Sequence, residues 1–348
     1  MTSILEQAQA NGAPLLNGDL ATFVWQGTEA QLIGDFNHWS MGIEPIVMQQ
    51  VEPDVWAATV QIPRDAYVEY RFFHEGEFLP DPLNPHHADD GMGHLNSFFW
   101  MPDAVDTPLA QEQADVSKGL VTPHIVDGQG FVVGSQRTVH LYQPPVDQPV
   151  PLLVVFDGSG YLHKAKIATI VDNLIAQKRI QPIAMALVDP GGEGRAVEYA
   201  CSDTTTAFII KCVLPAAQEH LKLIDIKQSP GAYGMMGASM GGLMSTYIAH
   251  RAPEIFGKVL CQSGAFGSDH LYYRSVIYDL IRYAPKPDIK MWMDAGVQEW
   301  FIKPNREIVP LLKERGYDVT YVEHNSGHNY PSWRNILWRG LEHLYPQG

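Results

Sequence analysis

The chain has 348 residues, 45% hydrophobic and 18% charged, the balance of a folded globular protein and not of a disordered or fibrous one. Its length suits about two domains, and 39 acidic against 24 basic residues give a net charge of −15, which argues against non-specific nucleic-acid binding. No apolar run approaches the roughly 20 residues of a membrane span, and the first ten residues have neither the basic nor the apolar region of a signal peptide, so neither a membrane partner nor secretion is expected.

The charge is uneven. Residues 1–118 hold 18 acids and three bases (Arg64, Arg71 and Lys118), whereas residues 119–348 hold 21 of each. The break falls at a stretch rich in Pro, Asp, Gln and Ala, so the expectation is a first domain over 1–105, a linker over 106–118 and a second domain over 119–348. Cys201, Cys212 and Cys261 lie far apart without metal-ligand spacing. Buried thiols in a reducing compartment, the cytoplasm, are the expected state.

In the first domain, Ala21–Gly27, Gln31–Ile33, Asp54–Ile62 and Tyr67–His74 have the length and alternation of short strands, punctuated by Gly, Pro, Asn and Asp. This predicts a small all-β sandwich. Gly34-Asp-Phe-Asn-His-Trp39 is similar to the signature of glycogen-binding sandwich modules, in which a loop Trp and Asn would stack on and hydrogen-bond a sugar; the same residues would equally pack a sandwich edge. His86-His87 followed by Asp89-Asp90 reads as a polar loop, since adjacent histidines point in different directions and make a poor metal site.

From Arg137 the pattern becomes alternating strands and helices. Strands are predicted at 138–143, 151–156, 182–188, 231–236, 258–262, 289–294 and 318–323, and helices near 164–177, 204–221, 241–250, 305–315 and 331–344. Runs such as Leu152–Phe156 suit a sheet covered on both faces, so the fold class is α/β, a doubly wound sheet preceded by the sandwich.

Gly237-Ala-Ser-Met-Gly241, between an apolar strand and a helix, fits G-x-S-x-G in the context that motif needs. The tight turn would lift the Ser239 hydroxyl off the sheet and aim the Met240 N–H at an incoming carbonyl. Serine needs a base to take its proton. His328, after the last strand and before the last helix, has the right place, with His324 the nearest rival. Glu299 follows the strand before that one, 289–294, and is the expected acid partner, with Asp294 or no close acid as alternatives. A second oxyanion donor is expected in Asp157-Gly-Ser-Gly-Tyr161, from Gly158 or Ser159.

With these pieces in order, residues 119–348 resemble the esterase-D-type α/β-hydrolases, especially enterochelin esterases. The resemblance rests on Val155–Gly158, Arg195–Tyr199, Leu214-Pro215, Gly237–Gly242, Asp294–Glu299 and Gly327–Arg334. Thr22–Trp25, Asp54–Trp56 and Asp81–Pro85 resemble the early-set-type sandwich that precedes the hydrolase in the same enzymes. The resemblance implies an α/β-hydrolase acting as a serine carboxylester hydrolase on small-molecule esters, with Ser239 and His328 carried over. It sets Arg195, Tyr161 and Trp333 near the substrate; a local pair with Glu198 is the alternative for Arg195, and seating the last helix the alternative for Trp333. The chemistry requires no metal and no organic cofactor. A siderophore trilactone is the leading substrate; a feruloyl or acetyl ester of sugar oligomers, or a silent glycan-binding protein, are the rivals. A homo-oligomer and a glycan on the sandwich remain open as partners.

Overall fold

The computed structural model describes residues 2–89, 93–268 and 273–347. They form two compact units. Unit 1 comprises Met1–Asp106, Gly296–Ile302 and Glu323–Ser332, and unit 2 comprises Thr107–Ala295, Lys303–Val322 and Trp333–Gly348.

Unit 1 starts with helix α1 (Ile4–Asn11), whose first turn is closed by a reciprocal pair. Ser3 Oγ accepts from the Glu6 N–H, and Glu6 Oε2 accepts from the Ser3 N–H. Ten strands follow: β1 (Leu15–Asn17), β2 (Leu20–Gln26), β3 (Gln31–Gly34), β4 (Ile46–Val47), β5 (Gln49–Glu52), β6 (Val55–Gln61), β7 (Tyr67–His74), β8 (Glu77–Leu79), β9 (His87–Asp89) and β10 (Leu95–Trp100). One sheet has the order β1-β2-β6-β5, the other β4-β3-β7-β10-β9 with β8 also paired to β7. The inward faces supply a shared aromatic core: the Phe23 ring from β2 meets Tyr70 from β7 edge-on at 4.7 Å and Phe99 from β10 at 5.8 Å. Burying each such ring contributes roughly 2–3 kcal/mol. Where a polar loop was expected at 86–90, His87–Asp89 forms β9, paired along β10; Asp90 lies outside the described residues.

Strand β7 is buried on both faces through its first six residues. Its second face carries Glu69, which accepts from Tyr67 Oη at 3.0 Å and Asn96 Nδ2 at 2.6 Å, and Arg71, whose Nε donates to the Leu95 carbonyl. Burial of charged groups requires such partners.

Unit 2 is built on an eight-stranded sheet of order β11-β12-β14-β13-β15-β16-β19-β20, comprising β11 (Leu120–Asp127), β12 (Gln136–Gln143), β13 (Leu152–Phe156), β14 (Ala184–Val188), β15 (Tyr233–Ala238), β16 (Phe256–Gln262), β19 (Lys290–Gly296) and β20 (Asp318–His324); β17 (Gly267–Ser268) and β18 (Tyr273–Arg274) make a separate small ribbon. The β11–β12 and β12–β14 pairs are antiparallel, and the pairs from β14 through β19 are parallel. The predicted helix at 204–221 is α-helical at both ends, Asp203–Phe208 and Leu214–His220, with a π-helical turn over Ile209–Val213 between them. The segment expected to link the domains is anchored in unit 2. There Asn173 Nδ2 donates to the carbonyls of Leu109 and Gln111, and Leu109 is buried.

Cys212 and Cys261 are buried and Cys201 is half-buried. Among the described residues no group of three or more His, Cys, Asp or Glu side chains is placed to hold a metal ion, and no helix is long and apolar enough to cross a membrane.

Candidate active site

Strand β15, buried throughout, delivers the chain to Ser239, and the helix Met240–Arg251 leaves from it. Ser239 sits at φ 57°, ψ −126°, a conformation that costs a non-glycine residue about 1–3 kcal/mol. Its backbone is pinned there: its N–H donates to the Gln262 carbonyl at 2.9 Å and its own carbonyl accepts from Ala265 N–H at 3.0 Å and Leu243 N–H at 3.1 Å. The turn closes only without a side chain at 237, where a Cβ would lie 2.5 Å from the Gly241 carbonyl carbon. Met240 opens the helix, so its N–H belongs to the unsatisfied, electropositive first turn.

The expected oxyanion loop follows β13. Asp157 is left-handed (φ 56°, ψ 47°), and a short helix begins at Gly158. The two candidate amides differ. The Ser159 N–H donates to Asp189 Oδ1 at 2.6 Å, and Ser159 Oγ lies 3.2 Å from His140 Nε2, so Asp189 and His140 brace the loop; Gly158 N–H lies one residue nearer the strand. Asp189 carried no signal in the sequence beyond its place at the end of a strand.

Arg195 pairs with a different acid from the one its neighbourhood suggested. Its Nε and Nη2 each donate at 2.7 Å to the two oxygens of Asp157, and its guanidinium lies 5.0 Å over the Tyr199 ring. Glu198, the sequence-local candidate, instead pairs with Arg137 and accepts from the Val133 N–H. The Arg195 fork therefore steadies Asp157, the residue immediately before Gly158.

Tyr161 and Trp333, both expected beside the substrate, are turned into the protein. Tyr161 is fully buried and its hydroxyl donates to Gln262 Oε1 at 3.0 Å; Trp333 is buried with its indole N–H on Ser263 Oγ at 2.9 Å. Gln262 Nε2 donates onward to the Trp333 carbonyl at 3.1 Å and to the Asp294 carboxylate at 3.2 and 3.3 Å. These bonds tie the start of the last helix to the end of β16. Asp294 is fully buried and also accepts from Trp292 Nε1 at 3.0 Å.

In unit 1, His328 Nδ1 lies 2.8 Å from Glu299 Oε2, with the Trp300 and Phe301 rings 4.7 and 5.4 Å from the imidazole. Glu299 is fully buried and the imidazole is nearly so. A carboxylate on Nδ1 fixes the tautomer with the proton there and leaves the basic lone pair on Nε2. Glu299, one of the two candidate acids, is thus in hydrogen-bond contact with the imidazole.

The Gly34–Trp39 motif gives a glycan little to hold. Asn37 is buried and engaged with local backbone: its Oδ1 accepts from Gly34 N–H at 2.9 Å and its Nδ2 donates to the Leu32 and Glu44 carbonyls. The Trp39 indole N–H is taken by Asp35 Oδ1 at 2.8 Å.

The Esterase family model matches residues 132–344, well over half of the chain. The chain belongs to the Esterase family. It is a carboxylic ester hydrolase, and as expected its relatives are of enterochelin-esterase type. It is 26% identical over 344 residues to the iron(III) enterobactin esterase of Dickeya dadantii, covering 89% of this chain and 77% of that one. To the iron(III) salmochelin esterase of Escherichia coli O6:H1 it is 23% identical over 366 residues, covering 92% and 86%. The crystal structure of the enterobactin esterase of Shigella flexneri in the presence of enterobactin shares its fold, with a TM-score of 0.76, 21% identity and 98% of each chain covered. The mixed α/β sheet and the antiparallel sheets before it are therefore those of an α/β-hydrolase with an N-terminal sandwich.

Proposed function

We propose that this esterase opens the ester bonds of a catecholate siderophore in the cytoplasm, through an acyl-enzyme on Ser239. His328 takes the Ser239 proton on Nε2 as the hydroxyl attacks the ester carbonyl carbon. Glu299 steadies the resulting imidazolium through Nδ1. The N–H groups of Met240 and Gly158 receive the oxyanion. Collapse of the tetrahedral species returns the proton to the departing alcohol. Water then attacks the acyl-enzyme by the same route, with His328 again as base, and Ser239 is released.

The observation that carries the reading is the buried Glu299–His328 hydrogen bond, because a carboxylate-oriented imidazole is what a serine hydrolase requires and no other histidine has its position before the last helix. The siderophore class is supported by relatives named for enterobactin and salmochelin that align along 89% and 92% of this chain, its N-terminal part included. The test is a substrate panel on the purified chain: enterobactin with and without bound Fe(III), methyl ferulate and acetylated xylo-oligomers, with products resolved chromatographically. Release of dihydroxybenzoyl-serine at kcat/KM at least a hundredfold above that for the sugar and ferulate esters is expected. Turnover of only the latter would overturn the substrate assignment.

A further inference from the structure

Asp35, from the motif that sequence alone likens to a sugar-binding loop, lies under the catalytic base loop of the same unit. It is almost fully buried. Three N–H donors converge on its two oxygens: Trp39 Nε1 on Oδ1 at 2.8 Å, and the Glu69 amide at 2.9 Å with Asn329 Nδ2 at 3.3 Å on Oδ2. Asn329 follows His328 directly, and its Oδ1 also accepts from Ser332 N–H at 3.0 Å and Oγ at 2.6 Å, closing the first turn of the last helix. On the other side of the histidine, Gly327 rests against the same carboxyl group so closely that a Cβ there would fall 2.0 Å from Asp35 Cγ. One carboxylate therefore touches the residues on both sides of the imidazole.

We propose that Asp35 is a positioning residue for the catalytic base: its carboxylate, seated on β7 and Trp39, fixes the Gly327–Asn329 loop so that His328 stays on Glu299 with Nε2 presented for proton transfer. This rests on the reading of His328 as the base. Both oxygens are engaged as acceptors, so an isosteric amide necessarily puts an NH2 group against one of the three donors. Burial first, and the Glu69 carboxylate next, push the Asp35 carboxyl well above the usual carboxylate range, against the pull of the Glu69 amide and the Trp39 indole; Glu299 adds to the upward push. Such a costly group is kept ordered by its donors, and misplacing a proton acceptor by about 1 Å costs on the order of a hundredfold in rate.

The test measures p-nitrophenyl butyrate hydrolysis by Asp35→Asn, His328→Ala and the double variant, each normalised to folded protein by near-UV circular dichroism. Asp35→Asn is expected to lower kcat by about 10- to 100-fold with KM within twofold, and to change the residual rate of His328→Ala by less than twofold, because it acts through the imidazole. An unchanged kcat, or an equal loss in both backgrounds, would overturn the positioning role. Full activity in His328→Ala would instead sink the assignment of the base. If Asp35→Asn does not fold, Trp39→Phe, which frees one oxygen of the seat, decides the matter: a two- to fivefold loss of kcat at constant KM supports the proposal, and no loss overturns it.

Discussion

Glu299 Oε2 is 2.8 Å from His328 Nδ1, while Glu299 Oε1 is buried with no hydrogen-bond partner among the described residues. In the proposed mechanism this acid holds and charge-balances the imidazole. Glu299→Gln is therefore expected to lower kcat by about 10²–10⁴-fold, less than loss of the serine or the histidine. Asp294→Asn should leave kcat within about threefold and lower Tm, because that carboxylate serves Gln262 and Trp292. Steady-state kinetics and thermal unfolding of the two variants check both statements.

Ser239→Ala and His328→Ala should each reduce kcat by roughly 10⁴–10⁶-fold, and the double replacement should be no worse than tenfold below the weaker single variant, since the pair works as one device. Burst kinetics with a p-nitrophenyl ester supply the second readout, in that the acylation burst disappears in both single variants.

Gly237→Ala would press a methyl group against the Gly241 carbonyl carbon, backbone that has nowhere to move. The expected cost is about 3 kcal/mol or more, seen as a Tm lowered by roughly 6–12 °C. Scanning calorimetry of the variant beside Ser239→Ala, which keeps the turn intact, measures it.

Arg195→Lys keeps the charge and loses the fork on Asp157. The guanidinium is about one-third exposed, so little stability is expected to be lost. The loss falls on kcat/KM, about 5- to 20-fold, through a loosened turn ahead of Gly158. Restoration of activity by a second change at Asp157 is not expected.

His250 is packed inside unit 2 with Nδ1 2.8 Å from the Thr246 carbonyl and Nε2 3.2 Å from Tyr317 Oη, and burial pushes its imidazole down to about 4. The unfolded chain then takes up the proton first, so this residue makes stability fall as pH drops from about 6.5 to about 4, with no further loss below. Asp35 and Asp81, whose buried carboxyls are raised, act in the opposite sense, favouring the folded state as pH falls. Urea unfolding of the parent and His250→Gln at pH 7, 5.5 and 4.5 separates the two: the parent should lose stability relative to the variant at the lower values.

The serine turn was legible because its constraints are local: two glycines, a buried strand before and a helix after. Glu299 was legible by its place after a strand. Arg195 was not, since Glu198 lies one helical turn away in sequence while Asp157 lies 38 residues back and meets it only through the fold. Tyr161 and Trp333 stand in motif loops, and nothing in their spacing says that Gln262 and Ser263 draw them inward. Strand β11 escaped notice because an edge strand with Pro123 and a single buried position, Val126, lacks the apolar run that marks its neighbours. At Gly34–Trp39 the residue types of a sugar-binding loop and of a turn satisfied by its own backbone are the same, so the two readings could not be separated in the sequence.

The N-terminal sandwich is not a detachable cassette. Gly296–Ile302 and Glu323–Ser332, encoded far downstream, fold as part of it and bring Glu299 and His328 with them. Trimming the gene at the apparent start of the hydrolase would discard the bed on which those two loops are laid, and grafting a foreign N-terminus onto residues 107–348 would have to supply a new one.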